Sequence, residues 1–453
     1  MKLKHPVFQI SIALYVVAQV FFLINVKYPE KHSFDEFHYV PAAKTFLKME
    51  PNQNSEHPPL GKWLIAGSMK LFGDNSFGWR FMSTVFGALT LVGVFLLGIA
   101  LFNDIPMALG AAAITFVNHL LFVQARIGML DTFAEAFLVF ALAGFAWAWS
   151  TKRKPREVKR ALLFCGAFMG LSIACKWSSV PALAACIFAV FILRIFQSWT
   201  FSYSRESSWK NKFSDFEDWY SPQLLKDVPN SFLLLALVVV PFCTYFITFL
   251  PYLLLHRNPP YTIWDLFKLQ KEMVVRMQSP MLDVSGKAVD THPYMSRWWS
   301  WPLMLRPIWY SFDPIPGQND QYRGVILLGN PLVMWGGLAA LFACAWAWIV
   351  KRSREAFLIT FFFCALYFCW AVVPRKVFFY YYYYPSGVLL SFALAYVFGW
   401  FEKRGTFKDK THWPRWGFTF AAFCLFLYFL PVLAALPISL SSFRRWMWFA
   451  AWV

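Results

Sequence analysis

Long apolar stretches recur along this 453-residue chain, and short polar segments separate them. The first stretch runs from Val7 to Val26, behind Lys2 and Lys4, and we expect it to be an uncleaved signal anchor. Because about 20 apolar residues cross a bilayer as one helix, each stretch predicts a membrane span. The eleven predicted spans are this first stretch and residues 78–101, 105–124, 129–149, 161–177, 179–197, 231–255, 326–350, 356–374, 378–401 and 416–437.

Lys and Arg are concentrated in a few of the segments between the predicted spans. With a cytoplasmic N-terminus, eleven crossings place the densest basic runs, at 151–160, 351–355 and 402–415, on one side together with 198–230. Cytoplasmic loops of membrane proteins are rich in Lys and Arg, so this side is predicted to be the cytoplasm. We therefore expect a multi-pass protein of the cell inner (plasma) membrane.

Two longer segments then face outwards and divide the chain into modules. The expected modules are an N-terminal membrane module at 1–255 with its first extracytoplasmic loop at 28–77, an outer loop with interfacial segments at 256–325, and a C-terminal membrane module of the four-helix type at 326–453. Two amphipathic pieces of the first loop, Val40–Met49 and Leu60–Phe72, predict helices that lie in the membrane interface.

Composition supports the membrane assignment and excludes soluble, disordered and collagen-like chains. Apolar residues make up 58% and charged residues 15% of the chain, against about 25% charged residues in soluble domains. The formal net charge of +18 would suggest nucleic acid in a soluble protein. Here, basic cytoplasmic loops and anionic lipid explain it, so we expect the bilayer and no nucleic acid as a partner. The eight cysteines form no CxxC pair and predict no metal site.

Ionisable residues cluster near the predicted outer ends of the spans. Because a charged side chain in the bilayer costs free energy, such residues indicate a functional or structural role. Asp35 and Glu36 follow the first span. Adjacent residues on a helix point about 100° apart, so one pocket uses one acid directly and the other supports it. The alternative is a solvated acid or a helix cap.

The second polar motif, Glu56 to Trp63, contains the tandem prolines Pro58 and Pro59. Tandem Pro favours a helix start whose free N–H groups suit an anion, with positive charge from His57 and Lys62. The alternative is an ordinary interfacial helix with a snorkelling Lys.

The third motif contains Arg126 outside a span entrance and Asp131 inside it. Arg126 could hold Asp131 or a phosphate. Asp131 and Glu135 are four residues apart and share a helix face. Thr132 and Glu135 also match a capping box, which would make them structural.

The remaining motifs combine aromatic residues and cations. Residues 292–310 include Trp298, Trp299 and Arg306, which predict either an interfacial belt or a wall for a sugar. Arg375 and Lys376 lie on the predicted outer side, against the positive-inside trend, and are candidate phosphate ligands. The tyrosine run 380–384 that follows is either interfacial or part of a pocket.

In this order, the motifs resemble those of the protein O-mannosyltransferases, polytopic enzymes of the GT-C glycosyltransferase class. The resemblance rests on Asp35-Glu36, HPPLGK at 57–62, ARIGMLD at 125–131, Lys176-Trp177, HPY at 292–294 with WWSWPLMLRP at 298–307, GNP at 329–331 and FYYYYYP at 379–385. It implies an all-α GT-C fold and transfer of mannose from a polyprenyl- or dolichyl-phosphate carrier to Ser or Thr of exported proteins. It also implies inversion at the anomeric carbon, a base at the acidic pair and an extracytoplasmic active site.

Two departures refine the resemblance. Eukaryotic members insert a folded MIR domain in the loop corresponding to 256–325, which here is short, so a bacterial-type enzyme is indicated. Related lipid A aminoarabinose transferases usually carry Lys before the Pro-Pro pair, where this chain has His57. This difference favours the mannosyltransferase branch.

The residue types suit a lipid-phosphate sugar donor. A phosphate leaving group needs cations rather than a general acid, and the acceptor hydroxyl needs one base. We predict Asp35 as the base and Glu36 as its support, with the catalytic pair and the cations around one cavity. The predicted donor-phosphate ligands are His57, Lys62, Arg126, Arg375 and Lys376, and the predicted sugar and acceptor pocket contains Asp131, Trp298, Trp299, Arg306, Tyr381 and Tyr382. No metal or other cofactor is required, although the sequence leaves a divalent cation open.

Other functions stay open at this point. One is a lipid-linked glycosyltransferase that acts on lipid A or another glycan. Another is a lipid-carrier transporter or flippase, although transporters favour ionisable residues at mid-bilayer and inverted repeats. A purely structural subunit would leave the ordered motifs unexplained. The sequence also leaves open whether the chain works as a dimer.

Overall fold

The computed structural model is dominated by long apolar helices. It describes residues 5–52, 54–150, 153–203, 228–278, 281–282, 288–289, 292–373, 375, 377–403 and 412–453. In this part of the chain, ten helical segments are long and apolar enough to cross a membrane. They are His5–Phe22, Ser76–Phe102, Leu130–Ala148, Pro155–Cys175, Trp177–Ile195, Asn230–Leu254, Pro331–Lys351, Arg354–Ala371, Tyr380–Lys403 and Trp413–Leu433. The predicted polytopic helical fold is therefore confirmed.

The predicted span 105–124 forms two short helices, Ile105–Phe116 and His119–Gln124. Asn118 caps the second helix by accepting a hydrogen bond from the amide of Leu120 at 3.2 Å. The side chain of Asn330 donates to the carbonyl oxygen of Val117 at 3.0 Å. The polar residues at the break thus satisfy the backbone groups that an interrupted helix leaves open.

The two short helices nevertheless connect opposite ends of the helical bundle. At the beginning of the pair, Arg415 donates a hydrogen bond to the carbonyl oxygen of Pro106. At its end, Tyr310 donates to the side-chain oxygen of Gln124 at 3.3 Å. Arg415 belongs to a predicted cytoplasmic segment and Tyr310 to a predicted outer loop. The count of eleven crossings stays a prediction that this path supports.

The helix ends beside the predicted cytoplasmic segments meet at one end of the bundle. The ring of Trp149 lies 6.0 Å from that of Phe357. The hydroxyl of Tyr396, near the end of the helix that precedes 404, hydrogen-bonds Ser353. Residues 204–227 of the remaining basic segment lie outside the described part of the chain.

The first loop folds into two helices, Glu36–Leu47 and Leu60–Phe72, and the second has the predicted bounds. They pack together through Phe46 and Trp63, whose rings stack at 3.8 Å. Their position in the membrane interface stays a prediction. A further helix, Ile263–Gln278, begins the outer loop.

A small antiparallel sheet, which the sequence did not predict, joins two strands at the end of the outer loop to a strand that follows the last span. Its strands are Ile308–Pro314, Gln321–Leu327 and Ile438–Ser439. Aromatic and β-branched residues favour strands here, and Gly317 supplies the positive φ of +73° in the connecting turn. A two-residue ladder pairs Met281–Leu282 with Ala288–Val289. The sheet carries Tyr310 towards the first loop.

Short helical turns complete the described chain. They are Trp177–Ser179, Leu250–Leu254, Trp298–Ser300, Cys369–Ala371, Tyr380–Tyr383, Leu440–Phe443, Arg444–Trp446 and Ala450–Trp452. Two of them, at 177–179 and 380–383, form the first turns of spans, and both lie beside residues near the first loop.

Candidate active site

Asp35 immediately precedes the helix Glu36–Leu47 and remains partly exposed. Tyr39 lies one helical turn later, so its hydroxyl reaches back and donates to Oδ2 of Asp35 at 3.1 Å. Burial, followed by the nearby carboxylate of Asp35, raises the pKa of Tyr39 well above its usual range. The phenol therefore keeps its proton and acts as a donor. From the described residues, the Asp35 carboxylate receives this single hydrogen bond, so it can still accept a proton.

Glu36 is fully buried and points away from this arrangement. Arg80 grips its carboxylate with two parallel hydrogen bonds, Nε to Oε1 and Nη2 to Oε2, both 2.8 Å. The amides of Gly128 and Ser33 donate to the same carboxylate at 2.7 and 2.8 Å. With four donors around it, Glu36 supports the loop and is not placed to take a proton from a substrate.

In the third sequence motif, the backbone amide of Gly128 has a structural role, because it donates to Glu36. A Cβ atom at this position would lie 3.1 Å from Oε1 of Glu36. A side chain here would thus crowd the amide that Glu36 uses. The sequence analysis also missed Arg80, although a cation near a span entrance signals a buried partner.

The described contacts of Arg126 include neither Asp35 nor Asp131, and the cavity shared with Asp35 stays a prediction. The guanidinium of Arg126 donates to the carbonyl oxygens of Ile24 at 2.6 Å and Leu433 at 3.1 Å. It also lies 4.6 Å from the ring of Phe122. Arg126 therefore ties the end of the first span to the end of the last one. These contacts favour a structural role over the predicted phosphate role.

The substitution Arg126→Ala is expected to lower thermal stability rather than donor affinity. It leaves the carbonyl oxygens of Leu433, in a buried hydrogen bond, and Ile24, in a partly buried one, without their charged donor. An unsatisfied buried group costs about 1–3 kcal/mol. The midpoint of thermal unfolding and the donor KM of the purified variant measure the two effects separately. A raised donor KM with an unchanged midpoint would return Arg126 to the phosphate site.

Lys176 is a further buried cation, and its charge lies near His57 of the first loop. Its ammonium contacts Oδ2 of Asp131 at 2.7 Å, and both side chains are buried. The same nitrogen lies 4.4 Å from the ring centre of Tyr381 and 5.4 Å from that of Tyr382. The backbone of Lys176 is extended and separates two helical segments, so its side chain does not follow the helical pattern on either side. The Lys176-Trp177 motif was noticed in the sequence, but Lys176 was not predicted as a site residue.

Arg375 also lies near Tyr382, with its guanidinium 5.2 Å from the centre of that ring. Burial lowers the pKa of Arg375, but the nearby Tyr382, Tyr381 and Asp35 outweigh burial and raise it. Arg375 therefore stays charged and shares its surroundings with the acid. Lys376 lies outside the described residues.

Lys62 and His57 of the second motif have different roles. The ammonium of Lys62 donates to the carbonyl oxygens of Asn54 at 2.6 Å and His57 at 2.8 Å, so it shapes this loop from within. Burial lowers the pKa of Lys62 to about 7, opposed by Glu56. The pKa of His57 is lowered well below its usual range by burial and then by the charges of Lys176, Arg375 and Lys62. His57 is therefore a neutral imidazole that faces the cations.

Two residues of the outer loop, His292 and Tyr310, also lie near Asp35. The ring of Phe34, beside the acid, lies 5.8 Å from His292 and 5.2 Å from Tyr310. The pKa of His292 is lowered, because burial outweighs the opposing charge of Asp35. The sequence analysis included both residues in a motif but did not assign them to the site.

The other predicted pocket residues of the outer loop have contacts elsewhere. Trp298 packs its ring 5.4 Å from Tyr367. Trp299 is 57% exposed. Arg306 donates to the carbonyl oxygens of Pro293 and Ala451, both at 2.9 Å. These positions favour anchoring and loop structure over a sugar wall.

The structure thus brings together one available carboxylate, two cations and several aromatic rings. Asp35 and Tyr39 form one side, and Lys176 and Arg375 lie over Tyr381 and Tyr382 on the other. Such a group can accept a proton from a hydroxyl and hold an anion. Within the described residues, no three His, Cys, Asp or Glu side chains are grouped to hold a metal ion.

Comparison with known families gives two matches along the chain. Residues 56–203 match the family described as dolichyl-phosphate-mannose-protein mannosyltransferase. Residues 270–452 match the C-terminal four TMM region of protein-O-mannosyltransferase. Both matches concern the same family and together cover most of the chain.

Curated bacterial relatives are similar over nearly the whole chain. The polyprenol-phosphate-mannose–protein mannosyltransferase of Mycobacterium tuberculosis is 23% identical over 476 residues, covering 92% of this chain and 86% of the relative. The enzyme of the same name from Corynebacterium glutamicum is 25% identical over 477 residues, covering 92% and 88%.

Solved structures show the same fold. A chain of the Saccharomyces cerevisiae protein O-mannosyltransferase Pmt1–Pmt2 complex, bound to the sugar donor, matches with a TM-score of 0.76 at 14% identity. The match covers 100% of this chain and 93% of the yeast chain. ArnT from Cupriavidus metallidurans, bound to undecaprenyl phosphate, matches with a TM-score of 0.54 at 14% identity over 94% of this chain and 74% of its own.

Proposed function

Because the chain belongs to the protein O-mannosyltransferase family, we propose that it moves a mannosyl group from a polyprenyl-phosphate carrier to a Ser or Thr hydroxyl of an exported protein. The observation that carries this proposal is the Asp35 carboxylate beside the cations Lys176 and Arg375. A base for the acceptor and positive charge for the donor phosphate then lie in one site.

Asp35 acts as the general base of the transfer. The acceptor oxygen attacks the anomeric carbon of mannose while Asp35 takes the hydroxyl proton. The bond between the anomeric carbon and the phosphate oxygen breaks, and polyprenyl phosphate leaves with the electron pair. Attack from the face opposite to the phosphate inverts the anomeric configuration.

Lys176, Arg375 and His57 form the proposed phosphate side of the site. The two cations oppose the charge that develops on the leaving phosphate, and a neutral His57 can donate a hydrogen bond to it. Nδ1 of His57 is buried and has no partner among the described residues, so the imidazole has bonding capacity left for a ligand. Tyr381 and Tyr382 keep the cations in place through their rings.

We place the reaction on the extracytoplasmic side. The site lies at the end of the bundle away from Arg415 and Trp149, which flank the basic segments. Basic segments stay in the cytoplasm, so the acid and the donor cations face the other compartment. Protease protection of tags placed at the two ends, in intact and in opened cells, tests this orientation.

The decisive experiment combines the purified protein with labelled polyprenyl-phosphate mannose and a Ser/Thr-rich peptide. Mannosylated peptide is the expected product, and the scheme predicts the same yield in a chelator. Transfer to lipid A or a glycan instead of the peptide would change the acceptor assignment. Movement of intact carrier across a vesicle, without any product, would identify a flippase and overturn the proposal.

Tyr39→Phe is expected to lower kcat and to leave the donor KM unchanged. The Tyr39 hydroxyl donates the hydrogen bond that orients the Asp35 carboxylate. Loss of one hydrogen bond to a charged group costs about 1.5–3 kcal/mol, so kcat should fall roughly 10- to 100-fold. Steady-state kinetics of the purified variant measure both quantities, and an unchanged kcat would contradict this role of Tyr39.

A further inference from the structure

The helix Ile263–Gln278 has three distinct sides. Leu266 and Met273 are buried against the protein. With about 100° between successive residues, Ile263, Trp264, Phe267 and Val274 fall on one exposed flank, where their exposures range from 42% to 74%. The opposite flank carries charged residues, which are Asp265, Lys268, Glu272 and Arg276. This pattern is typical of a helix that lies along a membrane surface. We call it the surface helix.

The apolar flank of the surface helix continues the lipid-facing surface of a membrane span. Trp264 contacts Phe267 at a ring distance of 5.9 Å, and Phe267 contacts Phe246 at 4.9 Å. Phe246 in turn contacts Phe242 at 4.5 Å, and Phe242 is 53% exposed on the span Asn230–Leu254. A continuous row of aromatic rings thus extends from the span to the surface helix, so the surface that contacts lipid includes both.

Cations lie beside this apolar flank. The side chain of Lys268 is 76% exposed, and Lys271 is exposed within the apolar sector itself. A Lys in such a position reaches the headgroup phosphates while its carbon chain stays among apolar neighbours. Phospholipid offers both acyl chains for the apolar flank and phosphates for the lysines, so it matches this surface better than an apolar protein surface does.

The same helix also holds two segments of the proposed donor site. Gln270 accepts a hydrogen bond from the hydroxyl of Tyr245 at 2.5 Å, and Tyr245 accepts one from Nε1 of Trp177 at 3.1 Å. Trp177 is the neighbour of Lys176 in the chain. On the other flank, Glu272 accepts from the hydroxyl of Ser55 at 3.0 Å, two residues before His57.

We propose that the surface helix binds phospholipid through Trp264 and Phe267. Through the hydrogen bonds of Gln270 and Glu272, the position of this helix then fixes the segments that contain Lys176 and His57. Contact with the bilayer then sets the geometry of the phosphate side of the site. The lipid contact stands by itself, whereas the effect on Lys176 and His57 rests on the proposed function.

Quenching by brominated lipid tests the lipid contact without any activity measurement. Trp264→Cys, in a background with the exposed Cys243 and Cys424 changed to Ser, carries a bimane label in vesicles of phosphatidylcholine and phosphatidylglycerol with brominated acyl chains. The control is Gln318→Cys in the same background, at an exposed turn of the outer sheet.

The label at 264 is expected to be quenched at least about three times as strongly as the label at 318, because an interfacial helix sinks its apolar face about 5–10 Å into the headgroup region. Equal quenching at both positions would overturn the lipid contact and leave a protein partner for this flank.

Donor kinetics test the transmission. Gln270→Leu and Glu272→Ala are each expected to raise the donor KM about 3- to 10-fold, the usual effect of losing one hydrogen bond, with little change in kcat. Gln318→Ala is the control without effect. An unchanged donor KM in both variants, with normal thermal midpoints, would overturn the transmission. If the wild-type protein transfers no mannose at all, the proposed function fails while the quenching result stands.

Discussion

Asp35→Asn is expected to lower kcat about 10²- to 10⁴-fold, the usual contribution of a general base. The asparagine keeps the shape of the side chain, and its carbonyl oxygen can still accept the hydrogen bond from Tyr39. It cannot take a proton from the acceptor hydroxyl. Because the donor phosphate is held by Lys176 and Arg375 in this scheme, affinity for polyprenyl phosphate should persist. Single-turnover mannosylation and a binding measurement with polyprenyl phosphate separate the two quantities.

Two comparison variants make the result specific. Glu30→Gln removes an exposed acid five residues earlier and should leave kcat unchanged. Arg375→Ala should show the opposite pattern to Asp35→Asn, with weakened binding of polyprenyl phosphate. Near wild-type transfer by purified Asp35→Asn would refute its assignment as the base.

Breaking the pair Glu36–Arg80 is expected to have the largest effect on stability. Both side chains are fully buried, and Arg80 also donates to the carbonyl oxygens of Val26, Pro29 and Lys31 at 2.7–3.1 Å. Glu36→Gln leaves the charge of Arg80 buried without its counter-charge. Removal of one partner from a buried pair lowers the free energy of unfolding by about 3–5 kcal/mol. Thermal unfolding of the purified variant measures the loss.

The matched control is the exposed ion pair Lys31–Asp313, which joins the first loop to the outer loop. Lys31→Ala should change the free energy of unfolding by only about 0–1 kcal/mol because water screens an exposed pair. The double variant Glu36→Gln with Arg80→Met removes the stranded charge and should be more stable than Glu36→Gln alone. A midpoint for Glu36→Gln equal to that of Lys31→Ala would contradict the structural role of the buried pair.

Hydropathy was sufficient to predict the membrane-spanning helices, since each apolar stretch must form its hydrogen bonds within itself in lipid. The exception, residues 105–124, is informative because Asn118 and Asn330 support a break that a hydropathy window averages away. The outer sheet was missed for a related reason. Its third strand has only two residues and pairs with a distant part of the chain, as Ile438 does with Tyr322.

Candidate residues of the site were found by type and position, but their division of labour was not. Residue type and position in the sequence predict Asp35, Arg375 and Tyr381, which the structure brings near one another. They also predict Arg126 in the role that we propose for Lys176, because both are isolated cations at span ends and a sequence does not tell which carbonyl or carboxylate each one contacts.

By itself, the sequence determined that this chain crosses the membrane many times and carries its polar chemistry at span ends, because burial in lipid is a property of each segment alone. Only the tertiary structure decided that Asp35 is available while Glu36 is held by Arg80. Adjacent acids are equivalent along a chain. They become different when the fold surrounds one with donors and leaves the other partly open, and that depends on residues far away in sequence.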